Sequence, residues 1–81
     1  MERLYFFDSK EGTVYIVTNG RRFLPEFEGD YYGSYDSVQQ LIDELVAGDT
    51  LYFPRKIDTS KLQLPADVSG WWIFAGAAVA K

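Results

Sequence analysis

At 81 residues the chain has room for one domain, residues 1–81, and its 47% hydrophobic and 17% aromatic content can furnish a single two-layer core. It has no cysteine and no histidine, which excludes disulfide scaffolds, thiolate metal sites and thiol nucleophiles, and removes the commonest general base. A net charge of −4 has the wrong sign for phosphate affinity.

The start, MERLYFFDSK, lacks the basic-then-apolar order of a signal peptide. The longest apolar run, WWIFAGAAVA at 71–80, has ten residues against the roughly 20 of a membrane helix. The expectation is a soluble, cytoplasmic protein without membrane contact.

Residues 2–7 (ERLYFF) predict a first strand and 8–12 (DSKEG) a turn. TVYIVT at 13–18 is β-branched and predicts a second strand. Asn19-Gly20 predicts a tight type I′ hairpin, because both residues tolerate positive φ. RRFLPEF at 21–27 is then the returning strand, and Pro25, without a ladder donor, marks it as an edge or a fraying point. After an irregular stretch, Val38, Leu41, Ile42, Leu45 and Val46 form one apolar helical stripe. Asp36 is the expected N-cap, with Gln39 completing a capping box, and Gly48 the C-terminal stop. TLYF at 50–53 reads as a fourth strand, 55–70 as irregular with one short turn, and 71–80 as a fifth strand. The expected class is α+β: an antiparallel sheet in the order β-β-β-α-β-β, with one helix packed on one face.

Charge is distributed unevenly. From Phe23 to Pro54 there are seven acids and no base, while the rest of the chain carries +3. On the helix, Asp36, Gln40, Asp43 and Ala47 lie opposite the apolar stripe, with Glu44 on their flank. Asp43, Glu44 and Asp49 crowd the C-terminal end, where the helix dipole favours cations by about 0.3–1 kcal/mol each. No Lys or Arg stands four residues on to offset them. A segment that departs from local stability rules in this way is a candidate binding surface; acids that only confer solubility are the competing account. Just before the helix, EFEGDYYGSYDS adds tyrosines, which give large contact area at low entropic cost. The candidate partner-binding residues are Glu26, Glu28, Asp30, Tyr31, Tyr32, Tyr35, Asp36, Asp43 and Glu44.

No constellation for chemistry emerges. Glu26 and Glu28, two apart, would share a face of an extended segment and with Asp30 could hold a hard cation, but no calcium-loop pattern accompanies them. Ser9-Lys10 and Ser60-Lys61 are adjacent pairs and would point to opposite faces of a strand. No phosphate-cradling glycine loop is present. The reading is therefore of a non-enzyme with no catalytic, metal or cofactor-binding residues. Arg21 and Arg22, with strand aromatics such as Tyr5, Phe7 and Tyr15, outline an alternative binder of nucleic acid or a small ligand through the sheet face, which the net charge opposes. Trp71 and Trp72 are a candidate oligomer contact: in a strand one would enter the core and the other would meet solvent, the far face or a partner, such as a second copy.

The expected function is a small acidic protein-binding module that occludes a basic surface of a partner, in particular a nucleic-acid-handling protein. In size and charge the chain resembles small inhibitors such as phage anti-defence proteins, anti-CRISPRs included, and antitoxins; the likeness rests on no shared motif. A non-catalytic, dimerising assembly module is the other alternative.

Overall fold

The computed structural model describes residues 1–49, Phe53 and 57–74. The chain opens as an antiparallel meander: β1 (Glu2–Ser9), β2 (Gly12–Thr18), β3 (Phe23–Phe27) and a two-residue β4 (Asp30–Tyr31). The helix α1 (Val38–Ala47) follows, then two 3₁₀ turns at Thr59–Lys61 and Val68–Gly70, and finally β5 (Trp72–Ile73). The strand order is β4-β3-β2-β1-β5 and every pairing is antiparallel. The expected α+β class, with one helix on one face of an antiparallel sheet, holds.

The near face of the sheet and the helix make the core. Val14, Ile16 and Phe27 meet Leu41, Ile42 and Leu45, all fully buried. Phe53, Leu62, Leu64 and Trp71 close the layer, with Phe53 5.0 Å from Phe27 between ring centroids. The predicted apolar stripe of α1 is the face that packs inward, and Val38 and Val46 flank it half-buried.

The termini of α1 show how local chemistry sets its length. Ser37, not Asp36, is the N-cap: its hydroxyl accepts from the Gln40 N–H at 3.0 Å, and the Gln40 side-chain carbonyl accepts from the Asp36 N–H at 3.1 Å. The cap is thus shifted by one residue, Asp36 being drawn to Arg22, and the Gln40 side chain closes on the N–H before the cap, not on the cap's own N–H as in a capping box. At the other end Gly48 adopts φ 81°, and a Cβ there would lie 2.8 Å from Asp58 Oδ1. Glycine is required twice over, for conformation and for close approach. The buried Thr59 hydroxyl donates to the Leu45 carbonyl at 2.6 Å, docking the first 3₁₀ turn on the helix end.

Two turns depart from expectation. Asn19-Gly20 does not close a two-residue hairpin. Thr18 pairs with Phe23, so the loop has four residues, and the Asn19 side-chain carbonyl accepts from the N–H groups of Arg21 and Arg22. That side-chain bond competes with the tight turn and wins. The two-residue turn with positive φ at both central positions lies instead at Glu28-Gly29 (φ 53° and 88°), between Phe27 and Asp30.

Nor is β3 an edge. The segment after the turn runs beside it: Tyr31 pairs with Glu26, the Tyr32 N–H donates to the Pro25 carbonyl at 2.9 Å, and Tyr35 bridges Phe23. Pro25 offers no donor in return, and the neighbouring chain is irregular from Tyr32 to Tyr35. Most of the strand expected over 50–53 lies outside the described residues; Phe53, which is described, is in no strand. Of the strand expected over 71–80, Trp72–Ile73 pairs with β1, and 75–80 lie outside the described residues.

Candidate partner-binding surface

The structure divides the predicted acidic surface into separate groups. Glu26 turns away from solvent. It is 6% exposed on the face opposite the helix, where Arg3 Nε and Nη2 donate to its two oxygens at 3.0 and 2.9 Å. Arg3 also stacks over the Tyr15 ring, 4.0 Å from its centroid. The hydrogen bond to Glu26 raises the Arg3 pKa against the opposing effect of desolvation. Glu26 is therefore a structural carboxylate. The strand ends one residue later, so Glu26 and Glu28 do not share a face as expected.

A bulge makes this pairing possible. Arg3 pairs with Val17 and Tyr5 with Ile16, so Leu4 is an extra residue in β1. Without it, Arg3 and Phe6 would point to opposite faces; with it, both face away from the helix beside Glu26.

Asp36 is likewise engaged. Arg22 reaches across the loop to its carboxylate, while the same guanidinium donates to the Ser34 hydroxyl at 2.8 Å and the Ser34 carbonyl at 2.9 Å. Arg22 thus clamps the segment that leads into the helix, and Arg21-Arg22 is not a pair of equally accessible cations. The base-free run in the sequence is partly neutralised by bases from outside it.

The tyrosines split by role. Tyr32 and Tyr35 are half-buried against the core, Tyr32 lying 5.1 Å from Phe53 between ring centroids. Tyr31 is 44% exposed. Trp71 is buried, its indole N–H donating to the Pro65 carbonyl at 3.1 Å, whereas Trp72 is 66% exposed. One tryptophan in the core and one outside it is the arrangement expected of the pair.

Six acids keep an outward or partly outward placement: Glu28, Asp30, Asp43 and Asp49, which are exposed, Asp36, which is exposed while paired with Arg22, and Glu44, which is half-buried. The last turn of α1 carries no base. Gln39 donates to Asp43 at 2.8 Å and to the Ala66 carbonyl at 3.0 Å, tying the acidic flank to the second 3₁₀ segment. Glu28 is one of two described non-glycine residues at positive φ, at 53° with Gln63 at 58°, a conformation that costs of order 1 kcal/mol.

Sequence reasoning missed the far face of the sheet. Trp72, Phe6, Tyr15, Glu26 and Tyr31 are consecutive partners across β5, β1, β2, β3 and β4, so they form one row over all five strands. Phe74 packs edge-on against Phe6 and Tyr15 at 6.2 and 6.0 Å. Beside the Tyr31 end is an open depression of about 350 Å³, lined by Met1, Arg3, Glu26, Tyr31 and Phe74. Alternation of aromatics in β1 and β2 hinted at two apolar faces, but the row depends on cross-strand register.

Among the described residues, no group of three or more Asp and Glu side chains is placed to hold a metal ion, and no helix is long and apolar enough to cross a membrane. Comparison with protein-family models, with curated proteins and with solved structures yields no match.

Proposed function

We propose that the chain is a non-catalytic protein-binding module that occupies a basic surface of its partner, and that the partner is a nucleic-acid-handling protein met in the cytoplasm. The contact residues on this reading are Glu28 and Asp30 of the β3–β4 hairpin, with Asp43 and Glu44 of α1. The observation that carries it is the C-terminal end of α1, where Asp43, Glu44 and Asp49 stand at the end that favours cations and the last turn holds no base. Glu28, exposed at a left-handed turn position where asparagine or glycine costs less, adds an acid at the hairpin tip. Spaced carboxylates can imitate a phosphate track and direct association.

The test uses the protein as bait in an extract of its native host. The captured partner should bind nucleic acid by itself and be displaced from the bait by heparin. Changing Glu28→Asn should raise folding stability by about 0.5–1 kcal/mol, from relief of the left-handed strain, yet weaken capture. Together with Asp30→Asn and Asp43→Asn it should abolish capture while the fold persists. Raised stability with undiminished capture would reduce these acids to solubilising groups and end the proposal.

A further inference from the structure

The far face of the sheet has the features of a surface made for a copy of itself. Its central row reads Trp72, Phe6, Tyr15, Glu26, Tyr31, with Tyr15 in the middle. Its two ends differ in a complementary way. One end projects Trp72, 66% exposed; alongside the row, between Phe74 and Tyr31, runs the depression of about 350 Å³ with Arg3 and Glu26 in its lining, and Tyr31 marks its far end. Charge selects the occupant. Arg3 and Glu26 neutralise each other, and Asp8, which also lies on this face, accepts from the Thr13 hydroxyl at 2.5 Å. Among the described residues the face therefore lacks the cation excess that nucleic acid or anionic lipid requires. Among them, too, Asp8 is its one acid beyond the Arg3–Glu26 pair, against the several that the hairpin and helix could present to a basic protein. An aromatic, nearly neutral partner remains, and in a chain of net charge −4 this face is where two copies can meet with least repulsion.

We propose that two copies pack far face to far face about a two-fold axis that runs along the strands past Tyr15. Such an axis reverses the row. Trp72 of each copy then enters the depression beside Tyr31 of the other, and the two Tyr15 side chains lie nearest the axis, each beneath its own Arg3 guanidinium. The indole meets Phe74 and the Arg3 guanidinium, a cation held in place by Glu26 and suited to an aromatic face. The knob-and-hole contact forms twice, as an isologous interface demands. Five strands spaced about 4.8 Å apart place Trp72 and Tyr31 roughly 19 Å from each other, a fitting separation for two anchors. A standard interface takes about 800 Å² from each partner, roughly one-sixth of the 5061 Å² this chain exposes.

The arrangement is distinct from edge-to-edge pairing of β5 and makes a different prediction. Ile73, 76% exposed, lies in the same strand but on the opposite face. Sedimentation equilibrium of the full chain should give about twice the 9.3 kDa monomer mass. Trp72→Arg and Tyr31→Arg, both at exposed positions, should each return the mass to monomer with unchanged far-ultraviolet circular dichroism, and Ile73→Arg should leave the dimer intact. Dissociation by Ile73→Arg but not by Tyr31→Arg would assign the contact to the β5 edge and overturn the proposal. A wild-type monomer at the highest soluble concentration would overturn it too. A dimer that survives Trp72→Arg would do the same.

Discussion

Arg3 shows how much one side chain can organise. Its guanidinium satisfies both oxygens of a nearly buried carboxylate and covers the Tyr15 ring. Replacing it with an apolar residue strands the Glu26 charge. Arg3→Met should therefore lower stability by about 1–3 kcal/mol in urea titration, the cost of leaving a buried polar group without its partner. Adding Glu26→Gln should recover much of that loss, because the uncompensated charge is then gone. Asp58 and Asp67 act locally in another way. Each caps a 3₁₀ turn and accepts from the hydroxyl and N–H of the serine two residues on. The serine hydroxyl is the main reason that each carboxyl titrates below its usual range. Between the ordinary and the lowered value, the unfolded chain binds more protons than the folded one. Stability from these caps is thus complete above the ordinary carboxylate pKa of about 3.9 and is lost as pH falls through the lowered values. Urea midpoints followed from neutral to acid pH should fall, and the double variant Ser60→Ala, Ser69→Ala should show a shallower acid slope.

At the scale of elements, α1 is held at both ends by different means. Its start depends on Ser37 and Gln40, its finish on Gly48 and on Thr59 from the following segment. Gly48→Ala should cost more than the about 1 kcal/mol of an unfavourable φ alone, since the new Cβ would also press on Asp58. Thr59→Val, nearly the same shape, should cost about 1 kcal/mol through the lost hydrogen bond. Thermal unfolding of both variants checks the order. The helix itself was legible in the sequence because five apolar residues at helical spacing leave one stripe to bury. Its cap was misplaced by one residue because Asp36 and Ser37 are both good caps, and an arginine from another loop decided between them. The turns were exchanged for a similar reason. Asn19-Gly20 has the preferred composition, yet its side chain found two backbone donors in a longer loop, while Glu28-Gly29 accepted a less favourable residue.

For the whole molecule, the arrangement separates two surfaces. The hairpin tip and helix carry exposed acids, and the far face carries an aromatic row with an internal ion pair. If acids direct association with a basic partner, the association rate should fall steeply as salt rises, while dissociation changes little; stopped-flow measurement across ionic strength reads this directly. By itself the amino-acid sequence determined the α+β class, the helix and its buried stripe, the first antiparallel strands, the division of labour between Trp71 and Trp72, and the absence of cysteine and histidine chemistry. These follow from periodicity and composition, which are local. Only the tertiary structure decided that Arg3 meets Glu26, that Arg22 holds Asp36, and that five residues from five strands align in one row. Those contacts join residues far apart in the chain, and they depend on register. A single extra residue at Leu4 sets which face Arg3 occupies, and no local pattern announces a bulge.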